Sequence, residues 1–413
     1  MNFRQAEEYL LSLELFGMRF GLDRMHRLMT VLGLPQRRFA SIHVVGTNGK
    51  SSTVRFCAAI LERHGLRTGS YTSPHLRSFR ERIEVGEQPV PREDFAAAVT
   101  RAAQAAEMVN RTAAADDQVT QFEALTAAAY HELARRGVEV AVIEAGLGGR
   151  FDATNVIPSR VQVLTSVGLE HTRWLGPTKT DIAEEKLAVV RDHGTLVIGA
   201  LDPESLAVAR RIVAERYAAL VEAPRKPTTP LRAAGRFQLA NFAIAAAAAE
   251  AFLARPLEPA ALERAARETL VQGRAEIVSR DPLTVYDGAH NPAGAKMMAE
   301  SLDEILGERR PRVAVLGVLE DKDAAGMLKA LLPCFDQVVF TRSHNPRSLS
   351  PATLASLAEQ LGGPPWEIVA DPHEAVARAR ALAGPGGAML ATGSIYLIAD
   401  LVREDSGARA STL

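Results

Sequence analysis

The chain has 413 residues, 47% of them hydrophobic and 23% charged, with a formal net charge of -1. That length supplies two or three domains of roughly 100–200 residues, and the near-neutral balance argues against a protein whose main task is neutralising nucleic-acid or membrane phosphates, while leaving room for a local basic site. Two cysteines, Cys57 and Cys334, are too few for a disulfide framework or a zinc cluster; they fit a reducing compartment and read as small core hydrophobes.

The N-terminal MNFRQAEEYLLSLELFGMRF carries charges throughout and no uninterrupted apolar stretch, so no signal peptide is expected. No run approaches the roughly 20 apolar residues of a membrane helix. A soluble, cytoplasmic protein without membrane or nucleic-acid partners is the expectation. The first apolar strand, IHVV (42–45), enters GTNGKSS (46–52) and then a helix. The familiar phosphate loop, G-x-x-x-x-G-K-[ST], puts its first glycine five residues before the second. Here Val44 stands at that place, and the nearest glycine before Gly49 is Gly46. The shorter loop still has the parts of an anion nest: two glycines that free backbone amides, a Lys50 charge, Ser51 and Ser52 hydroxyls, and a helix N-terminus. The bland alternative is a strand–helix turn with a solvated lysine.

Further along, 92–109 has helical composition, and VEVAVI (138–143) reads as a buried strand that delivers Glu144 into a glycine-rich turn. A carboxylate there suits Mg²⁺ facing phosphate, or equally a helix cap or ion pair. VQVLT (161–165) leads to Glu170 and His171, and Lys186 in DIAEEKLAVV falls beside two acids, where a solvated charged face is the usual reading. TLVI (195–198) is another strand, 241–254 an Ala-rich buried helix, and 259–271 a further helix. A domain boundary is expected within 272–282, giving a nucleotide-type domain (1–272) and a second α/β domain (273–413). The second opens a fresh series: LTVY (283–286), followed by Asp287 and His290, then RVAVLG (312–317), QVVF (337–340) and AMLAT (388–392). The polar tail from Arg403 is expected to fray. Strands alternating with helices imply mostly parallel sheets covered on both faces, whose ligands gather at the carboxyl ends of the strands.

In order along the chain, HVVGTNGKSST, YTSPHL, TQFE, IEAGLGGRFDATNV, TSVGLEHTRWLG, AEEK, GRFQLANF, YDGAHNP, NPRSL and ATGSIYL span residues from about 40 to 400. Together they resemble the folylpolyglutamate synthase/dihydrofolate synthase family of the Mur ligase superfamily, whose own ATP loop has the Gly-Thr-Asn-Gly-Lys form. The resemblance implies an N-terminal P-loop-type ATPase domain with a mostly parallel sheet and a smaller C-terminal Rossmann-like α/β domain. It implies an ATP-dependent amide ligase joining L-glutamate to a folate or pteroate carboxylate through an acyl phosphate, with ATP and two Mg²⁺, acting as a monomer on dihydropteroate, reduced folate or both. By position, Gly46, Thr47, Asn48, Gly49, Lys50, Ser51 and Ser52 would wrap the triphosphate, and Asn241, Arg274, Asp287 and His290 would meet ATP across the cleft. Ser73 and Glu144 would ligate one Mg²⁺ and His171 a second; Lys186 matches a lysine that the family carries N-carboxylated; Lys50, Lys186 and His171 would be the catalytic set. Thr120, Phe122, Glu123, Phe151 and Asp152 map to the pterin-side pocket. Two positions depart from the pattern: Ser51 stands where glycine is common, and Arg80 where asparagine is. Other readings are weaker. A murein-precursor ligase has an extra domain ahead of the ATP loop, against 45 residues before Gly46 here, and a P-loop NTPase switch or inactive module has no need of Ser73, Glu144, His171 and Lys186 together.

Overall fold

A computed structural model describes residues 1–13, 21–114, 117–224 and 229–403; the expected frayed tail lies almost wholly outside them. The apolar run ahead of the phosphate loop becomes β1 (Ala40–Val45), the middle of an eight-stranded sheet. The others are β2 (Thr68–Tyr71), β3 (Ile83–Val85), β4 (Gln88–Pro89), β5 (Val140–Glu144), β6 (Val161–Leu164), β7 (Thr195–Ile198) and β8 (Ala219–Glu222). Their order is β4-β3-β2-β5-β1-β6-β7-β8, parallel except for β3 and β4 at one edge. Alternate residues of a strand point to opposite faces, and β5 obeys this. Ala141 and Ile143 join the core under helices Asp23–Val31, Arg92–Asn110 and Gln121–Arg135, while Val140 and Val142 join the core under helices Lys50–Arg63 and Arg236–Leu253. Because both faces are covered, these strands read as continuous apolar runs.

The second sheet holds β9 (Glu276–Arg280), β10 (Leu283–Tyr286), β11 (Arg312–Leu316), β12 (Gln337–Phe340), β13 (Trp366–Ile368) and β14 (Ala388–Thr392) in the order β13-β12-β11-β14-β10-β9. Only β9 runs antiparallel within it. The stretch 271–283, expected as a separator, thus contains a strand: residues 276–280 form a polar edge strand, too exposed to show an apolar run. Val271 packs in the core of the first sheet and Ala275 in that of the second. Among the described residues no helix is long and apolar enough to cross a membrane.

Topology decides where function can gather. The carboxyl ends of β1, β5 and β6 lie side by side and carry residues 46–52, Glu144 and 165–171. The segments that follow β10, β11 and β14 carry 287–290, 319–322 and 394–396. All of these border one cavity between the two sheets.

Candidate active site

The cavity has a volume of about 540 Å³, and every residue singled out from the sequence lines it, from Gly46 in the loop to His290 in the second domain. Its floor is the loop after β1. Gly46 (φ 152°) and Gly49 (φ 86°) take backbone conformations that favour glycine, and both are tightly packed. A Cβ on Gly46 would stand 1.9 Å from Thr165 Oγ1, and one on Gly49 2.3 Å from Asn241 Oδ1. Asn241 is thereby seated on the loop, steadied by donating to Gln238 Oε1 at 3.1 Å. Lys50 curls back over the turn, its Nζ donating to the carbonyls of Gly46 (3.1 Å) and Thr47 (3.3 Å).

Beside the loop, Glu144 is buried and accepts from Ser51 Oγ at 3.0 Å and the Ser73 N–H at 3.2 Å. Burial raises its pKa, against the opposing charge of Lys50 and these hydrogen bonds. The departure at position 51 therefore adds a hydroxyl to the carboxylate. Glu144 with neighbouring hydroxyl-bearing residues is a hard-oxygen set of the kind Mg²⁺ takes, with phosphate and water completing the shell, so these residues fit such an ion. Among the described residues no three His, Cys, Asp or Glu side chains cluster as a metal cage. His171 sits nearby with φ 53°. Burial, followed by the charge of Lys322, pulls its imidazole down to about 4, leaving it in the neutral form that binds metals.

Lys186 overturns the reading of a solvated charged face. It is buried, and its Nζ donates to Gly46 O at 2.9 Å, while Glu184 and Glu185 pair with Arg211 and Arg150. Burial, then repulsion from Lys50, pulls its pKa to about 7.

Across the cavity the two domains meet through polar side chains. Asn48 and Asn291 exchange amide hydrogen bonds at 3.2 and 3.0 Å. Glu170 accepts from Asn291 (3.4 Å) and lies 3.0 Å from His290 Nε2, 3.2 Å from Lys322 Nζ and 3.7 Å from His171. Burial opposes its ionisation, but His290 and Lys322 outweigh that and hold its pKa below the usual carboxylate range. Asp287 is occupied differently: both oxygens accept backbone N–H groups, from Ala275 (2.9 Å) and Ala289 (2.8 Å), and Arg274 donates to Gly288 O at 3.2 Å. This pair ties down the turn that carries His290.

Also lining the cavity, Thr120 and Glu123 form a capping box at the start of helix Gln121–Arg135. Arg24 Nε donates to both oxygens of Glu123 at 3.0 Å and its guanidinium also pairs with Asp117. Asp152 caps the turn Ala153–Val156 and accepts from Leu147 N at 2.8 Å. Phe122 packs on Tyr71, ring centres 6.1 Å apart, and a Cβ on Gly146 would lie 2.7 Å from its ring. Phe151 is 41% exposed. Sequence reasoning assigned no role to Glu170, Asn291, Lys322, Arg24 or Trp174, all of which line or bridge this cavity. Asn291 and Lys322 carried one usable signal, polar residues just past the carboxyl ends of apolar strands.

With this geometry in hand, the comparisons with known proteins are consistent from end to end. The family described as "Mur ligase, glutamate ligase domain" matches residues 273–395. The Bacillus subtilis dihydrofolate synthase/folylpolyglutamate synthase is 32% identical over 416 residues, 94% of this chain and 95% of that protein. The chain belongs to the folylpolyglutamate synthase/dihydrofolate synthase family. It is thus an ATP-dependent ligase of the Mur type. Within the family, Lacticaseibacillus casei folylpolyglutamate synthase is 33% identical over 98% of both chains. A Haloferax volcanii probable bifunctional folylpolyglutamate synthase/dihydropteroate synthase is also 33% identical, and this chain spans half of its length. Among solved family structures, Mycobacterium tuberculosis folylpolyglutamate synthase complexed with ADP superposes with a TM-score of 0.91 at 31% identity, covering 99% of each chain.

Proposed function

We propose that the protein joins the amino group of L-glutamate to the carboxylate of dihydropteroate or a reduced folate, driven by cleavage of ATP to ADP and phosphate. One observation carries this reading: a single cavity is lined by the loop with Lys50, by Glu144 and Lys186, and by the rings of Phe122 and Phe151. Such a cavity suits an elongated acid with a flat heterocycle at its head and a carboxylate at its reacting end. In this reading residues 1–272 bind ATP and the pterin, and residues 273–413 bind the incoming glutamate.

The acceptor carboxylate attacks the γ phosphorus and ADP leaves. The glutamate amine then attacks the acyl carbon, and phosphate departs through a tetrahedral intermediate. No protein nucleophile is needed; the chain positions reactants and offsets charge. Lys50 and the loop amides meet the phosphoryl oxygens. Glu144 with Ser73 would hold one Mg²⁺ and His171 a second, which when bound stabilise negative charge on those oxygens. A Lys186 amine near pKa 7 is in large part neutral at physiological pH, the state required to add CO₂ and become an N-carboxylated anion. The Asn48–Asn291 and Glu170 contacts hold the second domain over the site, which excludes water from the acyl phosphate.

The test is glutamate-dependent ADP release from Mg²⁺-ATP with 7,8-dihydropteroate and with tetrahydrofolate in separate reactions. Release with either supports the assignment and names the acceptor. Release with neither removes the folate part of the reading and leaves a ligase for another carboxylate.

A further inference from the structure

Two large aromatic side chains that line the cavity are partly exposed. Phe151 belongs to the stretch already given to the heterocycle; Trp174, 39% exposed, has no assigned role. A tryptophan this exposed fills no core, so packing does not account for it.

Its position is set by a short wall. His171 begins that wall in the Glu170, His290 and Lys322 cluster, at the phosphate end of the cavity. Leu175 ends it against the glycine turn that leads into Phe151, where a Cβ on Gly148 would lie 2.9 Å from Leu175 Cδ2. Trp174 follows His171 by one turn, its backbone N–H donating to His171 O at 2.8 Å. The Arg173 guanidinium sits over the ring, 5.2 Å from its centre, and helps fix its orientation. The indole therefore stands on the wall that runs from His171 to the glycine turn, within about one helical turn, ~5.4 Å, of the histidine along the helix axis.

We propose that Trp174 is a specificity-determining residue that packs on the aryl ring of an acceptor whose reacting carboxylate is bonded directly to that ring, so that it favours dihydropteroate over glutamate-extended folates. This rests on the function proposed above. With the reacting carboxylate near His171, the ring of an aryl carboxylate falls at the level of the indole, where two flat rings gain from offset or edge contact. In a glutamate-extended folate at least one residue length, about 3.5 Å, separates ring and reacting carboxylate. An aliphatic segment then lies against Trp174, and the indole contributes less.

The test compares Trp174→Ala and Trp174→Phe with the unmodified protein, measuring kcat/KM for dihydropteroate and for tetrahydrofolate, with the KM for ATP as control. The expected result for Trp174→Ala is a loss of roughly tenfold to hundredfold with dihydropteroate, a change within about threefold with tetrahydrofolate, an unaltered KM for ATP, and substantial recovery in Trp174→Phe. Equal losses with both acceptors, with or without a change in the thermal midpoint, would mark a structural role and overturn the assignment. So would no loss with dihydropteroate. If the unmodified protein uses tetrahydrofolate alone, the folate ligase reading stands and this inference fails. If it uses dihydropteroate alone, loss in Trp174→Ala with recovery in Trp174→Phe sustains it, and equal activity of the three proteins overturns it. Turnover of neither acceptor removes the proposed function and this inference with it.

Discussion

Two lysines, Lys50 and Lys186, share the carbonyl of Gly46 and are asked to do opposite things. Lys50 is partly exposed and touches only two loop carbonyls, so the fold depends little on it. Lys50→Ala should lower kcat by at least about 10²-fold, the scale of one lost donor to a charged transition state, while the urea midpoint stays within about 1 kcal/mol of the unmodified protein. Normal turnover would withdraw the loop assignment. Lys186 is the reverse case, a buried amine whose burial opposes its charge. Its folded pKa of about 7 lies below its value of about 10.5 in the unfolded chain. Between these values the unfolded chain binds the extra proton, so stability rises with pH across that window and the penalty is full below about pH 7. Replacing Lys186 by Met removes the buried charge and one of the two lysine donors to the Gly46 carbonyl, which keeps Lys50, so the hydrogen-bond loss is at most about 1 kcal/mol. At about 1.4 kcal/mol per pKa unit, the variant should be more stable than the unmodified protein by a few kcal/mol at pH 6. That advantage should fade towards pH 10, and the variant should be inactive. Urea titrations at the two pH values check the sign; a constant difference would mean that ionisation of this lysine is not the cause.

At the scale of elements, the strand–loop–helix unit from Ala40 to Arg63 was the most legible part of the chain, because its strand, its turn and its helix start are contiguous. Its tolerances were not legible. Gly49 and Gly65 both have φ near 87°, yet only Gly49 faces another side chain closely, since nothing lies within 4 Å of a Cβ at Gly65. Gly65→Ala should therefore lose only the left-handed backbone term, about 1–2 kcal/mol. Gly49→Ala should lose that and also push Asn241 off the loop, raising the KM for ATP by more than about tenfold. Equal behaviour of the two variants in ATP titrations would show that the Asn241 contact is dispensable. TQFE teaches a related lesson. It was recognised as a motif, but its local work is a helix cap and a buried pair with Arg24, which begins 99 positions earlier in the chain. Strands β2, β3, β4, β8, β9 and β13 escaped notice: β2 is buried but its TGSY is not an apolar run, β3 and β4 span three and two residues, and β8, β9 and β13 are short and partly exposed. Edge strands lose the very pattern that reveals central ones.

For the whole molecule, what the sequence hid is what only two folded domains can make. Glu170 looked like a companion of His171, and nothing in its own segment announces His290 and Lys322, which arrive from 120 and 152 positions away. The burial of Lys186 was hidden for the same reason: its own segment reads as a solvated charged face, and only the resemblance singled it out, since it packs beneath a loop 140 positions earlier. Once assembled, Glu170 is about 10% exposed and Lys322 11%, so the pair is shielded from salt far better than a surface ion pair. Glu170→Gln keeps the size of the side chain but removes the charge, leaving Lys322 with only the more distant Asp321 at 3.6 Å. Breaking one side of a shielded pair destabilises by about 3–5 kcal/mol when fully buried, and somewhat less here because Asp321 remains. Neither sheet's core includes these side chains, so the loss should appear in how the domains are held together. In solution scattering the variant should show a larger radius of gyration than the unmodified protein without nucleotide. Its kcat/KM for ATP should fall by about tenfold or more, since closure must now be driven more by nucleotide. Raising salt on the unmodified protein should reproduce little of this, because screening reaches shielded pairs weakly. Superimposable scattering curves for variant and unmodified protein would show that the domains are held by other contacts, with the Asn48–Asn291 pair the next to remove.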